Sequence, residues 1–181
     1  MMDFLRFLKT RHSVYDFDKT RVSVRDLRRI LEAGRWSPSC HNTQPWKFIV
    51  VKDRKRILRL VDCCTSAAFA IPPPQLIAVV LDKTCVDISN VCAPNVEHGL
   101  LDAHVCCGTA AMSMALMAHA LRIDTGFLTP NPVIADKLLE VPKKRKTVLL
   151  ILLGKERKGA FRKPKTRKSM KDIVCKERYH A

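Results

Sequence analysis

No CxxC pair occurs anywhere in the 181 residues, which argues against a zinc ribbon or a ferredoxin-like iron–sulfur cluster. HExxH is missing as well. His98, His104 and Cys107 can be gathered on one helical face, but they match no metal-binding pattern, so no metal is expected. The chain also lacks an apolar run of membrane length: stretches 67–71 and 148–153 are short against the roughly 20 residues a span requires. The opening MMDFLRFLKTRHS carries no apolar segment of secretory type. A soluble, cytoplasmic protein with no membrane partner is the expectation. The basic C-terminal quarter holds only two aromatics, Phe161 and Tyr179, few against the series of stacking platforms that single-strand binders use, and matches no recognised module, so nucleic acid is not the expected partner either. No internal repeat is present.

What is there fits one domain, 1–181, large enough to bury a core without staples. The composition, 47% hydrophobic and 28% charged, is that of an ordinary globular chain. Eight cysteines sit largely in apolar segments, as in the pairs Cys63–Cys64 and Cys106–Cys107, and read as buried thiols rather than a disulfide framework. The net charge of +16 is the extreme number, and much of it lies in the last forty residues, with 155–181 a basic C-terminal segment. Such a surface attracts nucleic acid, acidic membrane or a phosphorylated small molecule by its field, or simply keeps the protein soluble.

Hydrophobic periodicity and turn chemistry predict helices over 3–10 and from Ser23, where Ser23 and Asp26 resemble a capping box. A buried strand over 46–52, a helix over 54–63 and a second strand over 75–81, opened by prolines 72–74, follow. The run GLLDAHVCCGTAAMSMALMAHAL ending at Leu121 is too long for a strand and apolar on most of its circumference. It predicts a helix buried on several sides, in the domain centre or in a subunit interface. A helix over 134–139 and a third strand over 147–153 complete the order, which indicates α+β or α/β with helices on both faces of a sheet.

Three separated stretches carry chemistry. Arg11-His12-Ser13 combines a fixed cation, a ring nitrogen and a hydroxyl, group types that bind a phosphate dianion. In SPSCHNTQPWKF, residues 37–48, the groups of Ser39, Asn42, Thr43 and Gln44 can face a flat heterocycle with carbonyl and imide edges, between prolines 38 and 45 that fix the backbone. Far away, PKTRK at 164–168 holds a second dense set of phosphate donors.

RHSVYDF followed by RWSPSCHNTQPWKFIVV resembles the nitroreductase family of FMN-dependent oxidoreductases. DAHVCCGTAAMSMALMAHALRIDTGFL, the strand VLLILLG and KPKTRKSMKDIV are similar to that family's central helix, late strand and basic C-terminal segment, so the likeness covers essentially the whole chain. It implies an α+β three-layer sandwich, with a central mixed, mainly antiparallel sheet flanked by helices, in an intertwined homodimer with two FMN sites between subunits and the 155–181 segment reaching the partner. Arg11, His12 and Ser13, with Lys165 and Arg167, would hold the phosphate. Pro38, Ser39, Cys40 and Asn42 from the partner would line the isoalloxazine, supported by Gln44, and a turn over Gly126, Leu128 and Thr129 would lie along it. The implied activity passes electrons from NADH or NADPH through FMN to a small acceptor, a nitroaromatic or quinone, in ping-pong fashion, with no dedicated catalytic side chain and with Lys165 or Arg167 as sources of positive charge. The same motifs are shared by family reactions of dehalogenation, dehydrogenation and flavin cleavage; a basic nucleic-acid-binding protein is the alternative from another class.

Overall fold

A computed structural model describes residues 3–64, 71–85, 96–162 and 164–179, with the backbone path alone for 96–98. Four strands form one sheet in the order β1 (Trp46–Val51), β2 (Gln75–Asp82), β4 (Arg145–Gly154), β3 (Asp124–Leu128). Every neighbouring pair is antiparallel. The central strand β2 is buried along its whole length, as its unbroken run of aliphatics requires. Because β1 is an edge, Phe48, Ile49 and Val50 are only half-buried, against the expectation of a fully covered strand. Among the described residues, parallel pairing occurs at the isolated bridges Ser13–Thr125 and Asp16–Ile71, beside the antiparallel ladders of the sheet.

Both faces of the sheet are covered. On one side α2 (Val24–Arg35) and α4 (Val96–Ala120) enclose a core of Leu27, Ile30, Ala110, Ala111, Met114 and Ala118 over the odd-numbered side chains of β2. On the other, α3 (Arg54–Asp62) and α5 (Pro132–Leu139) bring Ile57, Leu60, Ala135 and Leu139 onto Leu76, Ala78, Leu150 and Leu152. The result is the three-layer α+β sandwich. Gly34 lets α2 come close to α4, since a Cβ there would stand 2.9 Å from Met114 Cγ. At the start of α2, Ser23 Oγ accepts from the Asp26 amide at 3.0 Å, but the Asp26 carboxylate takes the Ser23 hydroxyl rather than its amide. The short Asp side chain thus closes half of a capping box.

Two further expectations from the sequence change. Residues 124–128 form a strand, not part of a turn: DTGFL is short, holds a glycine and has one β-branched residue, so its pattern is too weak to read, and its pairing with β4 decides it. Within α4, 99–120 is long and apolar enough by composition to cross a membrane, a candidate that the stretches 67–71 and 148–153 did not indicate. Here that helix packs on the sheet, with Ala110, Met114, Ala115 and Ala118 fully covered. The apolar residues 67–70 and the side chain of His98 lie outside the described residues.

Candidate functional site

Helix α1 (Phe4–Thr10) begins at Asp3, whose carboxylate accepts from the Leu5 amide at 3.0 Å, and it buries none of its residues. It delivers Arg11, after which the chain turns along β3. The Val14 amide donates to the Thr125 carbonyl at 2.9 Å, and Gly126 permits this approach because a Cβ there would stand 2.3 Å from Val14 O. Ser13 is thereby fixed on β3 by backbone pairing with its side chain exposed. From the far end of the chain Lys165 reaches back, its ammonium donating to the carbonyls of Lys9 and Arg11.

The cations so gathered repel one another. Burial lowers the Arg11 pKa, which the Tyr15 phenol works to raise and the Arg167 guanidinium lowers further. Lys165 is lowered by desolvation and then by Arg11, Arg167 and Arg162. Among the described residues no salt bridge joins Arg11, Lys165 or Arg167 to a carboxylate. The nearby Glu156 carboxylate is taken by Arg162, whose hydrogen bond holds it below the usual carboxylate range. His12 turns toward Glu156, its Nε2 3.7 Å from Oε1, and so stands beside the cations rather than among them.

One further residue belongs here that motif reading passed over. His119, in the last turn of α4, places Nε2 2.9 Å from Thr10 Oγ1 and its ring 4.8 Å from that of Phe7. A histidine inside an apolar helical run carries no signal of such a role; only the docking of α1 on the end of α4 gives it one.

The polar loop 38–44 is built as a rigid object. Ser39 Oγ accepts from the Gln44 amide at 2.9 Å, and the Gln44 carboxamide donates to Asn42 O and Oδ1, both at 3.2 Å. The Cys40 amide points at Cys106 Sγ at 3.3 Å, so α4 anchors the loop. His41, Asn42 and Gln44 all adopt left-handed backbone, with φ of 48°, 56° and 47°. Asn and His tolerate that region better than Gln, yet three such residues in four positions store strain of the kind found where a loop presents its groups to a ligand. Cys107 beneath it is inert: burial, aided by Cys106, pushes its thiol up to about 12.

The structure therefore brings Arg11, Ser13, Lys165 and Arg167 to one end of α4 and holds Pro38, Ser39, Cys40, Asn42 and Gln44 near its other half. Cys106 and His119 are thirteen residues apart on that helix, about 20 Å at 1.5 Å per residue. Gly126 and Leu128 lie within β3, buried, with Thr129 exposed just after it.

The sequence profile of the nitroreductase family matches residues 8–155. The chain belongs to the nitroreductase family. That family is one of oxidoreductases, and its fold is found again in solved structures. A nitroreductase family protein from Clostridium difficile superposes with a TM-score of 0.82 over 98% of this chain and 100% of its own, at 22% identity. A protein from another strain of that organism, described as an FMN-dependent nitroreductase, does so with a TM-score of 0.74 over 97% of this chain and 99% of its own, at 23% identity. Among curated sequences, a protein of Archaeoglobus fulgidus named as a candidate NADH dehydrogenase/NAD(P)H nitroreductase is 29% identical over 73% of this chain and 70% of its own length. Other curated relatives are matched over less than two thirds of their length, 57% in one case and 27% in another.

Proposed function

We propose that this chain is an FMN-dependent NAD(P)H oxidoreductase acting as a homodimer, with each FMN held by the cation cluster of one subunit and the polar loop of the other. The observation that carries the reading is the convergence of Arg11, Lys165 and Arg167, cations drawn from both ends of the sequence and set against no carboxylate among the described residues. Packing like charges together costs free energy that a bound dianion recovers. A phosphate monoester fits this donor set: guanidinium groups for charge-assisted hydrogen bonds and the Ser13 hydroxyl as a neutral donor.

Two chains are needed because one chain holds the two halves about 20 Å apart along α4. A surface for the second chain is available. Leu101, Val105 and Met112 lie on one face of α4, exposed by 60%, 59% and 44%, at the spacing of a helix seam. The exposed Phe4 and Leu5 of α1 extend the apolar area.

FMN held there would supply the redox chemistry between NADH or NADPH and a small acceptor such as a nitroaromatic or quinone. The residues of this chain bind and orient. Arg11, Arg167 and Lys165 neutralise the phosphate; Ser39, Asn42 and Gln44 present amide and hydroxyl groups held by their own hydrogen bonds to the edges of the ring. Those hydrogen bonds keep the three side chains in place when a substrate arrives.

The protein as isolated, or after incubation with FMN, should be yellow, and its flavin absorption should bleach anaerobically on addition of NADH or NADPH. Colourless protein that takes up no FMN from excess disproves the reading.

A further inference from the structure

We propose that His119 makes anion binding at the Arg11–Lys165 cluster proton-linked: it is the positioning residue that docks α1, and its imidazole takes up a proton when the site fills. This rests on the anion-site reading above and extends it to a residue outside the motifs. Helix α1 buries none of its residues, so its attachment to the body depends on a few contacts. His119 supplies two, the hydrogen bond to Thr10 at 2.9 Å and the ring contact with Phe7. Arg11 directly follows this docked turn, and Lys165 grips the carbonyls of Lys9 and Arg11 on it.

The tautomer follows from the hydrogen-bond count. The Thr10 hydroxyl has one proton, and it is donated to Phe7 O at 2.7 Å. The contact with His119 is therefore filled by an Nε2–H donor, which leaves the lone pair of the neutral ring on Nδ1. A proton gained from solvent goes to Nδ1, and the bond to Thr10 survives and becomes charge-assisted.

The charged groups facing the ring are Arg11 and His12 after α1, Asp124 on β3 and Lys165 of the C-terminal segment. Burial lowers the His119 pKa below its ordinary value, Arg11, His12 and Lys165 lower it further, and Asp124 alone opposes. A dianion on Arg11 and Lys165 cancels that repulsion and raises the pKa. By reciprocity the anion binds more tightly as pH falls through the raised value.

Sulfate is the suitable probe because its charge is constant over this range, whereas a phosphate monoester itself titrates near pH 6. The imidazole resonances of the full chain are followed by NMR against pH, with and without saturating sulfate, and His119→Gln assigns the His119 signal. The His119 midpoint should move up with sulfate. A displacement of about one pH unit corresponds to sulfate binding that tightens about tenfold between pH well above both midpoints and pH well below them. His119→Gln, which keeps an N–H donor for Thr10 but cannot charge, should bind sulfate with a weaker dependence on pH than the unaltered chain, His12 beside Arg11 being left to titrate in both. Sulfate binding with an unmoved His119 midpoint overturns the linkage and leaves the anion site standing. Failure of both sulfate and FMN to bind at either pH overturns both.

Discussion

Lys165 closes the C-terminal end of α1, its ammonium bonded to the main-chain carbonyl of Arg11 from 154 positions further along the chain. The contact does two things at once. It satisfies carbonyls that the end of a helix leaves without partners, and it carries a second positive charge to where Arg11 already stands. Arg11→Ala should therefore weaken FMN binding by about 1.5–3 kcal/mol, roughly ten- to hundredfold, for the loss of one charge-assisted contact. Fluorescence titration of FMN measures it, and an unchanged Kd removes Arg11 from the site.

Gly126→Ala should destabilise the protein without touching the cations. The new Cβ would stand 2.3 Å from Val14 O, and backbone cannot step aside as a flexible side chain can. The cost should approach about 3 kcal/mol, the upper part of the usual overpacking range. Denaturant unfolding reads it as a lower midpoint with an unchanged slope.

The ion pair of Asp82 and Arg145 sets part of the acid limit of stability. Burial works to raise the Asp82 pKa, but the Thr84 hydroxyl and amide and the Arg145 guanidinium outweigh it and hold the carboxyl low. A depressed carboxylate contributes stability that is present above its unfolded pKa of about 3.9 and is lost as pH falls through the folded value. Arg145→Met should cost about 3 kcal/mol near neutral pH, the lower end for a broken buried pair because Arg145 is 32% exposed. The penalty should shrink below about pH 4, as the stranded carboxyl takes a proton. Urea melts at the two pH values compare them.

Val105→Asp should leave the folded chain nearly as stable, since Val105 is 59% exposed and surface changes usually stay within about 0.5 kcal/mol. It should shift sedimentation from dimer to monomer, because a carboxylate would be buried wherever a second α4 lies on that face. A variant that sediments like the unaltered protein places the interface elsewhere.

Much of this was legible in the sequence, and the exceptions share a cause. The cores of β2 and β4 announce themselves as aliphatic runs, α4 by its length, α2 by its Ser23 cap. Arg11 and Lys165 were readable as phosphate donors by residue type, and their joint place came from a resemblance to a family, not from spacing. The strand nature of 124–128, the glycine at 126 and the function of His119 depend instead on contacts between segments far apart in the chain. Gly126 answers to the carbonyl of Val14 and His119 to the hydroxyl of Thr10; no local pattern encodes either. The loop 38–44 lay between, its polar content plain and its left-handed backbone at His41, Asn42 and Gln44 visible only in the fold.

The length of α4 between the loop and the cation cluster has a genetic consequence. If each pocket borrows Arg11 from one polypeptide and Asn42 from the other, then Arg11→Ala and Asn42→Ala chains, each weakened in flavin binding alone, should restore unaltered pockets to one another when unfolded together and refolded. Random pairing makes half of the dimers hybrids, each with one pocket intact and one doubly defective, so about a quarter of the pockets should bind FMN with the unaltered affinity.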